Sequence, residues 1–146
     1  MTASNEMTLQ FLSRSSNESL ARTAAASFFL PLAPTVEGLS DIKTAVSEAV
    51  TNAIVHGYRD RIGKIQLKAG ICENNLIYIK VKDYGCGIED VKQAMEPLYT
   101  SFPEGERSGL GFSVMQSFMD KVTVRSRPGK GTLVTLYKTL SAREKR

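Results

Sequence analysis

Apolar residues recur along this chain with two different periods, and the switches between them mark its elements. Met7, Leu9 and Phe11 alternate with polar neighbours, which predicts a short strand over residues 7–11. The spacing then changes. Asn17 followed by Leu20, Ala21, Ala24 and Ala25 predicts an amphipathic helix over 17–30, with Asn17 as its N-cap. Pro31 and Pro34 interrupt the chain. A second helix is predicted over 39–56, where Ile42, Ala45, Val46, Ala49, Val50, Ala53 and Ile54 return at steps of three and four. Strands at 64–71 and 76–82 follow, joined through Glu73-Asn74-Asn75. Phe112, Val114, Met115, Phe118 and Met119 mark a further helix, and strands at 121–126 and 132–138 form a hairpin across Pro128-Gly129. Hairpin strands with helices between them predict an α/β protein built as an α+β two-layer sandwich. Its sheet is mixed and mostly antiparallel, with helices on one face. With no repeat, low-complexity stretch or linker, residues 1–146 read as a single domain.

Composition narrows this picture only a little. At 42% hydrophobic and 23% charged residues, the chain is ordinary for a soluble globular protein. Residues 1–6 are polar with no apolar signal region behind them, and the apolar patch over 24–33 is too short to span a bilayer. Cys72 and Cys86 lack metal-site spacing, so reduced thiols in a cytoplasmic protein are expected. The formal charge of +4 permits nucleic-acid binding, but part of the excess lies in a basic tail over 141–146, and no nucleic-acid motif accompanies it. An acidic protein partner is served equally well.

Three blocks carry chemistry. In the first, Glu48, Asn52 and His56 are spaced four apart on the second helix and line one face, able to point together into a pocket. Asn52 is a poor helix-interior residue, and its carbonyl oxygen suits Mg²⁺; Glu48, one turn earlier, has the chemistry of a general base. In the second, Asp83 ends a strand, where its carboxylate can accept from an exocyclic amine, and Gly85 and Gly87 remove Cβ atoms that would hold off a flat base. In the third, Gly105, Gly109 and Gly111 form a glycine-rich loop opening a helix whose free N–H groups can hold phosphates. Each block alone has a plainer reading: a solvated polar stripe, a turn closing a strand, a flexible loop. Rossmann, P-loop and protein-kinase signatures are absent.

In this order the blocks resemble the N, G1 and G2 boxes of the GHKL ATP-binding family, over residues 39–137. Three stretches narrow the resemblance: residues 47–57 (SEAVTNAIVHG), 97–101 (PLYTS) and 106–112 (ERSGLGF), together with 17–22 (NESLAR). They are similar to the small anti-sigma serine kinases of spore-forming Gram-positive bacteria, the sporulation branch ahead of the general-stress branch. The resemblance implies the Bergerat ATP-binding fold, with ATP or ADP and Mg²⁺ as cofactors. It assigns Glu48 as the base for the acceptor serine, Asn52 as the Mg²⁺ ligand, and Asp83 as the reader of the adenine amine beside Gly85 and Gly87. Thr132 would support Asp83 through its hydroxyl. Gly109, Leu110 and Gly111 would bind phosphate, and Arg107, in a lid over 91–108, would approach the γ-phosphate; alone, Arg107 is a solvated loop charge. Relatives of the gyrase, Hsp90 and MutL types carry a further domain, and histidine kinases a phosphoacceptor helix, for which this chain has no room. The implied partners are therefore proteins: a sigma factor held inactive, an anti-anti-sigma substrate, and a second copy of the chain in a homodimer, with neither nucleic acid nor membrane. Arg22 is a candidate docking residue. Cys86 has no evident chemical role, and His56 reads as a helix-end residue favoured by the dipole. A non-catalytic ATP-gated sigma-binding module is the competing expectation.

Overall fold

The alternation of Met7, Leu9 and Phe11 places these residues on one side of strand β1 (Asn5–Leu12), which pairs antiparallel with β2 (Lys64–Ile71), Leu9 opposite Leu67 and Phe11 opposite Ile65. The computed structural model describes residues 2–96 and 108–142. Strand β2 pairs with β3 (Leu76–Asp83), β3 with β5 (Gly131–Thr139), and β5 with β4 (Lys121–Arg127), giving the order β1-β2-β3-β5-β4 with every pairing antiparallel. One face is covered by α1 (Asn17–Phe29), α2 (Val36–Asn52) and α4 (Ser108–Phe118), with a single-turn α3 (Val91–Ala94) nearby. Ile65, Leu67, Ile77, Ile79, Val81 and Leu136 from the sheet are buried together with Phe29, Ile42, Val46, Val50 and Met115 from the helices. Truncating one of these fully buried side chains, as in Ile42→Ala, costs about 3 kcal/mol.

The turns follow their residues. Asn74 and Asn75 both adopt left-handed backbone (φ 59° and 60°), which asparagine tolerates better than other non-glycine residues. Arg127-Pro128-Gly129-Lys130 forms a type II turn, with Gly129 at φ 77° and Lys130 N–H donating to the Arg127 carbonyl at 2.9 Å. Two helix starts differ from expectation. Asn17 is not an N-cap: its Nδ2 donates to the Leu12 carbonyl at 2.9 Å, tying the helix to β1. Helix α2 begins at Val36 instead of residue 39, because Thr35 Oγ1 accepts from Gly38 N–H at 3.0 Å and caps it.

The end of α2 departs from regular helical geometry. Its α-helical pattern stops at Asn52 and widens into a π-helical turn, Ala53–Gly57, closed by Tyr58 N–H donating to the Ala53 carbonyl at 3.1 Å. Helix α4 is anchored at its far end by Lys138, whose Nζ donates to the Phe118 carbonyl at 2.9 Å and pairs with Asp41 at 3.6 Å. Most of the expected lid and most of the basic tail, residues 97–107 and 143–146, lie outside the described residues.

Candidate functional site

Strand β3 delivers Asp83 to a cleft of about 520 Å³, which is also lined by Asn52, His56, Gly57, Gly87 and Thr132. That volume suits a small-molecule ligand. Asp83 is only 5% exposed. Its Oδ1 accepts from Gly85 N–H at 2.9 Å, and Thr132, its partner across the β3–β5 ladder, donates a backbone N–H to the same carboxyl. Burial raises this carboxyl above the ordinary range, and the two amides pull it partly back. The ionised group can only accept hydrogen bonds, so a donor entering the cleft is strongly favoured there.

Glycine is required here by the protein's own packing. A Cβ on Gly57 would stand 2.8 Å from the Asp83 carboxyl carbon, so the π-helical turn closes onto Asp83 only with hydrogen at that position. A Cβ on Gly85 would collide with the Gly57 carbonyl, and one on Gly87, at φ 76°, with the Arg127 carbonyl. This adds a reason for glycine at Gly85 and Gly87 beside the expected one, the approach of a flat base. Gly87 does line the cleft, but both glycines let backbone meet backbone. Cys86 acquires a role in the same packing. Its N–H donates to the Gly57 carbonyl at 2.9 Å, its carbonyl accepts from Gly129 N–H at 2.7 Å, and its exposed thiol reaches the His56 carbonyl at 3.0 Å.

Of the helical face, Asn52 and His56 line the cleft while Glu48 lines a neighbouring groove between α1 and α2, beside Arg22 and Ser47. The three do not converge on one point. In that groove Ser47 Oγ donates to Glu18 at 2.8 Å, and Arg22 pairs with Glu18 at 3.4 Å. Asn52 Nδ2 is buried with no hydrogen-bond partner among the described residues. Gly111, in the first turn of α4, comes so close that a Cβ there would lie 3.0 Å from the same atom. Nitrogen and oxygen of an amide are interchangeable in such an assignment, so Asn52 has an unused polar end for a ligand or its metal. Among the described residues no cluster of three His, Cys, Asp or Glu could hold a metal alone. The donor set fits Mg²⁺ bound through Asn52, phosphate and water, and does not fit an all-protein cage.

His56 departs from expectation. It sits inside the π-helical turn, and burial, then the nearby Arg59 charge, hold its imidazole below the ordinary value, so it is neutral near pH 7 and not a dipole-stabilised cation. Thr132 supports Asp83 through its backbone N–H; its hydroxyl instead meets Ser126 Oγ at 2.8 Å. The glycine-rich stretch is the first turn of α4 itself, Gly109, Leu110 and Gly111 being helical, and the side chain of Leu110 is outside what is described. Arg107 lies outside the described residues. Three contributors escape a reading of the sequence: Gly57, Ser126 and Tyr58, whose buried hydroxyl donates to the Lys64 carbonyl and accepts from Tyr84 N–H at 2.7 Å. Counting outward from Pro128-Gly129 pairs Ser126 with Gly131, one residue short of its actual partner Thr132, and nothing in the sequence marks Tyr58.

Comparison with known proteins adds three findings. A family model described as a histidine kinase-like ATPase domain matches residues 13–138. Among curated relatives, the anti-sigma F factor of Thermoanaerobacter sp. is 56% identical over 142 residues, 97% of this chain and 99% of the relative. That of Clostridium novyi is 53% identical over 141 residues, 96% and 98% of the two chains. The crystal structure of the RsbU and RsbW domains of a Mycobacterium tuberculosis protein superposes with a TM-score of 0.69 at 19% identity, over 95% of this chain and 33% of that one, a likeness of fold alone.

Proposed function

This chain belongs to the histidine kinase-like ATPase family, and from that premise we propose that it is an anti-sigma F-type factor and ATP-dependent serine kinase. It holds a sporulation sigma factor inactive and phosphorylates the anti-anti-sigma antagonist on serine. No helix among the described residues is long and apolar enough to cross a membrane. Action as a cytoplasmic homodimer is part of the same proposal.

The observation that carries the site assignment is a desolvated carboxylate at one end of the cleft and an unsatisfied amide farther back along α2. Asp83 accepts from the exocyclic amine of adenine. Glu48 lies nine positions before Gly57, which is against Asp83, at most about 13 Å along the helix at 1.5 Å per residue, because the π-helical turn rises less. We read that distance as commensurate with an extended nucleoside triphosphate whose terminal phosphate meets Glu48, on the side of the α1–α2 groove. Asn52 lies between, positioned to hold Mg²⁺, which when bound would offset phosphate charge. The free N–H groups of Gly109, Leu110 and Gly111 at the start of α4 face the phosphates. The substrate serine Oγ then attacks the γ-phosphorus while Glu48 takes its proton. A serine O–P bond forms, the bridging P–O bond to the β-phosphate breaks, and ADP leaves; Arg107 stabilises charge on the transferring group.

Incubating the protein with γ-labelled ATP, Mg²⁺ and the antagonist tests this reading. Acid-stable label is expected on the antagonist, lost in Glu48→Ala and Asn52→Ala, with ATP binding retained in Glu48→Ala. Acid-labile label would indicate histidine chemistry. No label despite ATP-dependent retention of sigma factor would make the protein a sequestering module without catalysis.

A further inference from the structure

Ser126 lies in β4 directly opposite Thr132 of β5, at the edge of the cleft that Thr132 lines. Three groups surround its hydroxyl. Ile88 N–H, from the loop after β3, donates to it at 2.7 Å. The Gly131 carbonyl lies 2.9 Å away, and Thr132 Oγ1 lies at 2.8 Å. A serine hydroxyl has one proton and two lone pairs. An amide N–H can only donate and a carbonyl can only accept, so Ile88 occupies one lone pair and Gly131 takes the proton. Only the second lone pair remains for Thr132. The Thr132 hydroxyl is therefore the donor in that contact, and it turns lone pairs alone toward the cleft.

Asp83, whose carboxyl also receives the Thr132 backbone N–H, is the second acceptor in the same recess. Two acceptors side by side match an exocyclic amine, which has two N–H donors. They oppose a carbonyl oxygen, whose lone pairs would face theirs. We propose that Ser126 is a positioning residue that sets the base preference: by claiming the Thr132 proton it makes the recess select 6-aminopurines and reject 6-oxopurines. The proposal rests on the reading that the base lies against Asp83. It also gives the Ile88 contact a purpose, because this hydroxyl, beside the Gly129 N–H to Cys86 carbonyl bond, ties the loop after β3 to the β4–β5 hairpin.

Equilibrium binding of ATP and of ITP, whose purine carries a 6-oxo group in place of the amine, tests the idea on the full chain with Mg²⁺. The natural protein is expected to bind ATP at least about tenfold more tightly than ITP, the value of one charge-assisted hydrogen bond. Ser126→Ala releases the Thr132 proton toward the cleft, and the ITP-to-ATP ratio of Kd values should fall about three- to tenfold. Ser126→Thr, which keeps the hydroxyl, should restore it. A purely structural role for Ser126 would weaken both nucleotides equally and leave the ratio unchanged, and that result would overturn the proposal. Thr132→Val reads the same hydroxyl from the other side, so a Ser126→Ala protein that fails to fold does not end the test. An undiminished ATP preference in Thr132→Val would equally sink the proposal. Absence of any preference in the natural protein would remove both the proposal and the adenine reading, whereas a preserved preference with an unchanged Ser126→Ala ratio removes the proposal alone.

Discussion

The two ends of the cleft are built on opposite principles. At the Asp83 end polar groups are provided for. The carboxylate has two backbone donors, Gly57 presses against it, and Cys86 and Ser126 stitch the surrounding loops together. At the Asn52 end an amide nitrogen is buried without a partner among the described residues, and Glu48 opens toward a different groove. A buried unsatisfied amide costs about 1–3 kcal/mol, so it persists where a ligand completes it. On the proposed reading, the difference teaches that the Asp83 end, which takes the base, is organised before nucleotide arrives, while the Asn52 end, which takes the phosphates, is completed by the nucleotide. Stability and function should therefore move together at one end and apart at the other.

Breaking the organised end gives the largest effect. A methyl group at Gly85 overlaps the Gly57 carbonyl, and neither backbone segment can yield cheaply. Gly85→Ala should lose about 3 kcal/mol of unfolding free energy in urea titrations, and nucleotide binding with it. Unchanged stability would show that the loop after β3 has room the packing denies. Asp83→Asn comes next. It keeps the shape but replaces an ionised acceptor with a neutral amide, and calorimetry should show ATP affinity reduced about thirtyfold, near 2 kcal/mol. Retained affinity would place the base elsewhere.

At the phosphate end the same kind of change should separate the two properties. Asn52→Ala removes the orphan amide and substitutes a better helix former, so thermal and urea unfolding should show a gain of about 1 kcal/mol while phosphate transfer disappears. A loss of both would mean that Asn52 is part of the scaffold and that the contrast between the two ends is wrong.

How much of this was legible in the sequence depends on which physical signal each residue carries. Strands β1 to β5 and the body of α2 follow from apolar periodicity, as do both hairpins from Asn74-Asn75 and Pro128-Gly129, because burial and left-handed backbone impose themselves on residue type. The chemistry-bearing positions Asn52 and Asp83 were found by their unusual placement, on the inner part of a helix and at a strand end. What was missed is tertiary. The cap at Thr35 was hidden by counting from the first periodic residue, and Asn17 satisfies β1 instead of its own helix. The π-helical turn that carries Gly57 to Asp83 has no signature in residue type, since its inserted geometry is enforced by contacts from the loop after β3. The packing reason for Gly85 and Gly87 is hidden for the same cause: the obstacle to a Cβ is another segment of backbone, invisible along the chain.

The smallest effect is a pH dependence, in which two groups at the Asp83 end act with opposite signs. Burial raises Asp83 above its ordinary value near 3.8, so the folded protein holds this proton more tightly than the unfolded chain. Its contribution to stability is full below that ordinary value and is lost as pH rises through the window up to the raised folded pKa. Nucleotide binding runs the other way. If Asp83 accepts the adenine amine as proposed, it does so as the ionised carboxylate, and affinity falls as pH drops through the raised pKa, earlier than an ordinary aspartate would allow. His56, held below its ordinary value near 6.5 by burial and then by Arg59, is depressed on folding. Its contribution is present above 6.5 and is lost as acidification proceeds down to the lowered folded pKa. Acidifying from neutrality should therefore weaken the unliganded protein through His56 as pH falls below 6.5, and weaken nucleotide binding through Asp83 as pH falls through its raised pKa. Unfolding and ATP titrations across pH 4–7, repeated on His56→Asn and Asp83→Asn, would assign the two steps. The first variant should change the stability curve alone, and the second should flatten the affinity curve while also removing the opposite contribution of Asp83 to stability. A common step shared by both curves would mean that the two groups titrate as one unit across the cleft, and that the base end is less settled before nucleotide arrives than its hydrogen bonds imply.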